Sequence, residues 1–224
     1  RIACMPVLSE IFLPKIIADF ATEHKDAHFY LRAQPSARVH ESIASQQFDV
    51  GFAENPAESE LYFTKDFSLP TMIALPDGHP LTCHRVLTPK NLHDVPFSTF
   101  LPEHELTIQL RAAFESVDAK LNIPFFLQNA AAQYSVVESG HAVGFMSLLS
   151  VWLYQENWER NSRKKIVFRP FAPRIYQNVS LITPRHRPLP QISQLFSAKL
   201  EKSVHSILSA TKFQFQLDEL EELN

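Results

Sequence analysis

The chain has 224 residues, 45% of them hydrophobic, and a formal charge of −3 at pH 7. That length can bury one good apolar core or two modest ones, and the balance of charge excludes nucleic-acid binding by electrostatics alone. No run approaches roughly eighteen apolar residues, so no membrane-spanning helix is expected, and two cysteines make no disulfide framework.

Taken in order, Arg1-Ile2-Ala3-Cys4-Met5-Pro6 reads as a first strand and its end. The start lacks a charged region followed by an apolar one, so no secretory signal is expected. Ile11, Phe12, Ile16, Ile17 and Phe20 make a helical apolar stripe ending at Glu23-His24-Lys25, and Pro14 either opens that helix or kinks it. His28 to Ala33 is short and apolar enough for a strand. Pro35 biases Gln34 away from helical angles and ends it. Ser36 is expected to cap the next helix with its hydroxyl, with Val39 and Ile43 facing a sheet. Phe48-Asp49-Val50-Gly51-Phe52-Ala53 resumes the strand pattern, and Gly51 marks a place where another backbone or a ligand comes close.

This β-α-β stretch has a chemical consequence. First-turn amides lack intrahelical partners, and the helix dipole adds positive character at the same end. A hydroxyl beside them makes a seat for a carboxylate, phosphate or sulfate. Ligands of open α/β sheets bind beyond the carboxyl ends of the strands, and Ser36 and Glu54 each follow such an end. The same residues also suit an ordinary helix cap with no ligand.

Leu61-Tyr62-Phe63 begins another extended piece, and Met72-Ile73-Ala74-Leu75 is a short strand closed by the turn Pro76-Asp77-Gly78. A hinge is expected near Leu69-Pro70-Thr71. Thr88-Pro89-Lys90-Asn91-Leu92 looks like a short capped helix, and Phe97-Ser98-Thr99-Phe100 a strand ended by Leu101-Pro102. Residues 103–120 read as a helix with Leu106, Leu110, Ala113, Phe114 and Val117 on one face. Phe125 to Gln128 is a strand. Asn129 can cap the helix from Ala130 to Ser139, which Gly140 stops. Ala142 to Met146 is a buried strand, and Ser147 can cap the helix carrying Leu148, Leu149 and Trp152. Arg160 to Lys165 is a basic loop. Ile166 to Phe171 and Tyr176 to Ile182 are extended, with a second hinge near Gln177-Asn178. Residues 190–210 form the last amphipathic helix, with Ile192, Leu195, Phe196, Leu200, Val204 and Ile207 on its stripe. The tail from Thr211 holds Asp218, Glu219, Glu221 and Glu222, without which the chain is near neutral.

Enzyme chemistry finds no support in the motifs. His79, Cys83 and His84 lie close together, but no fourth metal ligand is visible beside them. Gly140-His141-Ala142-Val143-Gly144 lacks the serine of a nucleophile elbow, and four glycines spread over the chain cannot build a phosphate loop. No catalytic residue, metal or cofactor is therefore assigned. Cys4 and Cys83 are expected as two ordinary reduced thiols.

Several pieces together carry a resemblance. The opening strand with Leu13-Pro14 and Phe20, then Pro35-Ser36, Phe48-Asp49-Val50-Gly51-Phe52, Leu75-Pro76-Asp77-Gly78-His79-Pro80-Leu81, Val137-Glu138-Ser139-Gly140-His141-Ala142-Val143-Gly144 and Arg169-Pro170-Phe171 come in one order. That order is similar to the effector-binding (regulatory) domain of LysR-type transcriptional regulators, over about residues 1–205, and all four glycines fall inside the pieces. The resemblance implies an α/β fold of two Rossmann-like subdomains joined by two crossover segments, like type II periplasmic binding proteins. Subdomain I would take residues 1–71 with 178–224, and subdomain II residues 72–177. Alternating strands and helices alone also allow a single doubly wound sheet.

The resemblance further implies a small-molecule effector held in the cleft between the subdomains. Its expected contacts are Pro35, Ser36, Ala37 and Glu54 from subdomain I, and Thr99, Phe100, Leu101, Pro102, Asn129 and Ser147 from subdomain II. The pattern from Pro35-Ser36 to Gly51 is most similar to regulators that sense opines and basic amino acids. An amino-acid carboxylate would sit at Ser36, and Glu54 would meet an ammonium or guanidinium group. The expected effector is thus an amino acid, an opine or another carboxylate. The expected protein is a cytoplasmic homodimer or tetramer with no membrane contact. It would reach DNA only through an N-terminal winged helix-turn-helix absent from this chain, with RNA polymerase as a further candidate partner. The alternative reading is a solute-binding protein of a transport system.

Overall fold

The computed structural model of the protein describes residues 1–158 and 165–215. In chain order the elements are β1 (Ile2–Cys4), α1 (Pro6–Ser9), α2 (Phe12–Glu23), β2 (Leu31–Ala33), α3 (Ser36–Ala44), β3 (Val50–Glu54) and the long β4 (Tyr62–Pro76). After a single 3-10 turn at Pro80–Cys83 come β5 (Pro96–Thr99), α4 (Glu105–Glu115), β6 (Asn122–Phe126), α5 (Ala130–Glu138), β7 (Val143–Ser147) and α6 (Leu148–Leu153). The chain then runs through β8 (Ile166–Pro170), β9 (Tyr176–Pro184) and α7 (Gln191–Phe215). It divides into two compact units: Arg1–Ser68 with the segment from Asn178 onward, and Leu69–Gln177. β4 and β9, neighbours in the strand order, each begin in one unit and end in the other.

In the first unit β1 is flanked by two parallel partners, β2 (Ile2 opposite Leu31) and β3 (Ile2 opposite Val50). β9 closes antiparallel on β3, with Gly51 opposite Ile182. Ala3, Val39, Ile43, Phe48, Ala53 and Ile182 form one apolar cluster under α3. Gly51 is required there. A Cβ on it would stand 2.8 Å from Cγ1 of Ile43 and 3.1 Å from Cγ1 of Val39, so the close approach is to helix side chains. Pro14 falls at the third residue of α2, where its missing N–H costs no helical bond, and so it opens the helix. Phe12, Leu13, Ile16 and Phe20 are the buried face of that helix, while Ile11 and Ile17 are half-buried. On α7 the apolar line is Phe196, Leu200, Val204 and Ile207. Ile192 and Leu195, expected on the same stripe, are 38% and 45% exposed. Leu195 lies about 100° around the helix from Phe196, and Ile192 lines an open cavity beside His24 and Phe29.

In the second unit the order is β8-β4-β7-β5-β6. β4 pairs antiparallel with β8 and β7, with Ile73 opposite both Arg169 and Phe145. β5 lies parallel between β7 (Phe97 opposite Val143) and β6 (Thr99 opposite Phe126). Ile73, Leu87, Leu92, Phe97, Leu106, Leu110, Phe114, Phe145 and Phe171 build its core. Each unit therefore has three parallel strands, and antiparallel β4, β8 and β9 make the sheets mixed.

Four local expectations are corrected. The pieces at 61–63 and 72–75 belong to one continuous strand, β4. Thr88–Leu92 is a turn. Thr88 and Asn91 exchange hydrogen bonds like a capping pair (Thr88 N to Asn91 Oδ1 2.9 Å, Asn91 N to Thr88 Oγ1 3.4 Å), yet the chain continues as a turn, with Leu92 buried in the core. α4 spans only Glu105–Glu115, and Val117 beyond it is 39% exposed as the chain turns at Asp118 (φ 53°). α7 continues through Phe215, past the expected end at 210. The basic loop from Arg160 and the acidic residues from Asp218 lie outside the described residues, apart from Lys165.

Candidate functional site

The candidate residues of the first unit gather at the carboxyl ends of its parallel strands. Pro35 follows β2 and is the N-cap of α3, with no side-chain capping bond; its carbonyl accepts from the amides of Arg38 (2.9 Å) and Val39 (3.1 Å). Ser36 is thus the first residue inside the helix and does not cap it. Proline, fixed in the extended conformation that an N-cap needs, takes that position one residue earlier. The Ser36 hydroxyl instead accepts the backbone N–H of Glu54, at 3.3 Å, tying the end of β3 to the start of α3. His40, one turn on, donates from Nε2 to the Glu54 carbonyl at 2.9 Å. Pro35 and Ala37 are exposed, and Ser36 and Glu54 are half-buried. Pro35, Ser36, Ala37 and Glu54 therefore lie together, at an edge where α3 offers its first-turn amides.

In the second unit β5, β6 and β7 are parallel, so Thr99, Asn129 and Ser147 all fall toward their carboxyl ends. The Leu127 amide donates to the Thr99 carbonyl at 2.8 Å, which draws the loop before α5 onto the end of β5. Asn129 does cap α5: its Oδ1 accepts from Ala132 N at 2.9 Å. Thr99 is buried, its hydroxyl 3.2 Å from that of Thr107, which also donates to the Phe100 carbonyl. Phe100 stacks on His104 with centroids 4.4 Å apart, while Leu101 and Pro102 are exposed. Ser147 makes no side-chain cap bond. The residue is buried at the end of β7, and its hydroxyl lies 3.5 Å from Ser150 Oγ.

Sequence reasoning missed Gln133. It lies on α5 among Ala130, Tyr134 and Val137, the spacing of a buried helical face, and has no exposed surface. Neither Nε2 nor Oε1 of its carboxamide has a hydrogen-bond partner. The signal was available as a polar residue at a core position of an otherwise apolar stripe.

Charge is concentrated elsewhere. Burial alone would raise the Asp49 carboxyl, but hydrogen bonds, among them those from the Arg1 and Arg187 guanidinium groups, outweigh it and hold it well below the ordinary carboxyl range. Burial pushes the Cys4 thiol up to about 12; both cysteines are free, Cys4 buried and Cys83 exposed. His79 is held below its ordinary value by burial, and its Nδ1 accepts from Leu81 N at 3.2 Å. Among the described residues no group of three or more His, Cys, Asp or Glu side chains is placed to hold a metal ion. Nor is any helix of those residues long and apolar enough to cross a membrane.

Comparison with known proteins places these features in a family. The family model described as the LysR substrate binding domain matches residues 1–203. The transcriptional activator protein LysR of Escherichia coli (strain K12) is 27% identical over 212 residues, covering 93% of this chain and 65% of that protein. The octopine catabolism/uptake operon regulatory protein OccR of Rhizobium meliloti is 39% identical over 90 residues, covering 40% of this chain and 30% of that protein. The chain thus spans just under two thirds of the length of the first of these relatives. In structure it is similar to the BenM effector binding domain with its effector benzoate, with a TM-score of 0.70 and 14% identity over 95% of this chain and 93% of that one. The fold is accordingly mixed α/β and like that of type II periplasmic binding proteins.

Proposed function

This chain belongs to the LysR substrate-binding domain family, and from that premise we propose that it senses a small carboxylate or amino-acid-like effector on behalf of a transcriptional regulator. The observation that carries the reading is the family match across residues 1–203. The geometry supports it: each unit gathers polar groups and a helix N-terminus at the carboxyl ends of three parallel strands. Pro35, Ser36, Ala37 and Glu54 are the proposed contacts of the first unit. Those of the second are Thr99, Phe100, Leu101, Pro102, Asn129 and Ser147.

BenM's effector, benzoate, is a carboxylate, and OccR's name ties it to octopine. Benzoate favours a carboxylate here, and octopine an amino-acid-related one. The longer relatives leave room for a separate DNA-contacting part, and the proposed assembly is a homodimer or tetramer. Binding would work by preferring one conformation of the regulator over another. Driving that equilibrium from 1:99 to 99:1 requires roughly 10⁴-fold preferential affinity.

Calorimetric titration with arginine, ornithine, octopine and benzoate tests the reading. Heat is expected from at least one of them, and Ser36→Pro should abolish it. Proline is well tolerated at the first helical position but removes both the hydroxyl and the amide. Silence from wild-type protein across a broad panel of amino acids and carboxylates would remove the effector assignment.

A further inference from the structure

We infer that the buried carboxamide of Gln133 reads the effector, and that it selects a ligand carrying an acceptor and a donor side by side, as an α-amino acid does. The inference rests on the effector reading above and narrows it.

Position comes first. α5 is the crossover between the parallel strands β6 and β7, so it runs back against them, with its N-terminus at their carboxyl ends. Val137 marks the register. A Cβ added to Gly144, the second residue of β7, would stand 3.1 Å from Cγ2 of Val137. Gln133 is four residues, about 6 Å, nearer the carboxyl ends on the same buried face. Helical side chains lean toward their own N-terminus, and in α5 that is the end opened by Asn129.

Chemistry follows. In that turn Asn129 Oδ1 takes the Ala132 amide, while Ala130 and Ala131 present N–H groups that have no intrahelical partner. Gln133 adds a donor, Nε2, and an acceptor, Oε1, both fully buried and both unpaired. A buried amide left without partners is costly, and natural proteins pair such groups with protein, water or ligand. A plain carboxylate answers the N–H groups and Nε2 but leaves Oε1 unmet. An α-amino acid meets both: its carboxylate accepts from the turn and Nε2, and its ammonium donates to Oε1.

The test is titration of wild type and Gln133→Met with L-arginine and with 5-guanidinopentanoate, which lacks only the α-amino group. Wild type should bind arginine about 10- to 100-fold more tightly, the effect of one buried hydrogen bond to a charged group. In Gln133→Met that preference should vanish. The unliganded variant should melt at or above the wild-type temperature, because an apolar chain of similar length replaces an unpaired amide. Equal affinity of wild type for the two probes would overturn the inference with no variant needed. So would an unchanged arginine preference in Gln133→Met, as expected if ordered water alone satisfies the amide. In either case the effector reading stands. If wild type binds neither these probes nor any other amino acid or carboxylate, both fall.

Discussion

α3 and α5 hold corresponding places in the two units. Each follows an outer parallel strand, packs over a glycine-bearing one, and points its N-terminus toward carboxyl strand ends. They treat their polar groups in opposite ways. Around α3 the groups are spent within the unit: Ser36 takes the Glu54 amide and His40 the Glu54 carbonyl. Around α5 the cap is satisfied, but a whole carboxamide is buried behind it without a partner. The first edge is held ready by its own bonds, whereas the second carries an unmet demand.

The steepest way to strain this parallel is through the two glycines. Beneath α3, the nearest atom to a Cβ on Gly51 would be Ile43 Cγ1, at 2.8 Å, on a β-branched side chain that is stiff in a helix. Beneath α5, the nearest to a Cβ on Gly144 would be Met146 Cε, also at 2.8 Å but at the end of a flexible chain. Gly51→Val should therefore cost about 3 kcal/mol and Gly144→Val roughly 1 kcal/mol less, read from urea unfolding. Equal costs would show that the helices are seated alike.

Charge gives the next contrast. Asp49 is a buried carboxylate of the first unit held below the ordinary carboxyl range by its cationic partners, the Arg1 and Arg187 side chains among them. In the second unit the buried hydroxyl of Tyr134 donates to a neutral group, the Ser150 carbonyl. Because folding lowers the Asp49 pKa, its contribution is present above the ordinary carboxyl value near 4 and is lost as pH falls toward 2. Its charge-assisted hydrogen bonds from Arg1 and Arg187 are worth about 2 kcal/mol. Asp49→Asn should cost about that much at pH 7 and flatten the acid limb of the stability curve. Amide exchange at pH 3 should loosen β1 and β3 before β5 and β7. The opposite order would place the acid-sensitive group elsewhere.

What could be read in the sequence follows the same division. Helical and strand periodicity located nearly every element, because Val39 and Ile43, or Leu106 and Leu110, mark a buried face by spacing alone. Asn129 was legible as a cap because amide side chains do that work locally. Ser36 was not, since its hydrogen bond goes to Glu54, eighteen residues away, and no local rule reaches so far. The antiparallel closure by β4 and β9 was hidden for a like reason: alternation tells of crossovers and nothing of which distant strand pairs at an edge. Gln133 lay in plain view at a core position, but its meaning depends on the absence of partners, which only three-dimensional packing reveals.

The smallest predicted effect compares the two helix starts directly. Asn129→Ala removes a 2.9 Å capping bond to Ala132 and should cost about 1 kcal/mol, the usual value for a lost N-cap. Ser36→Ala removes only a longer bond to the Glu54 amide, 3.3 Å, at a half-buried place where water can replace it, so about 0.5 kcal/mol is expected. Thermal melts of the two variants without ligand resolve that difference. If Ser36→Ala proves the costlier, the hydroxyl is helping to close α3 onto β3 more firmly than its length implies. The first unit would then owe its edge to that one contact, and the contrast with α5 would sharpen. If both variants melt like wild type, neither bond stabilises its helix start, and what separates the two edges is the buried amide of Gln133 alone.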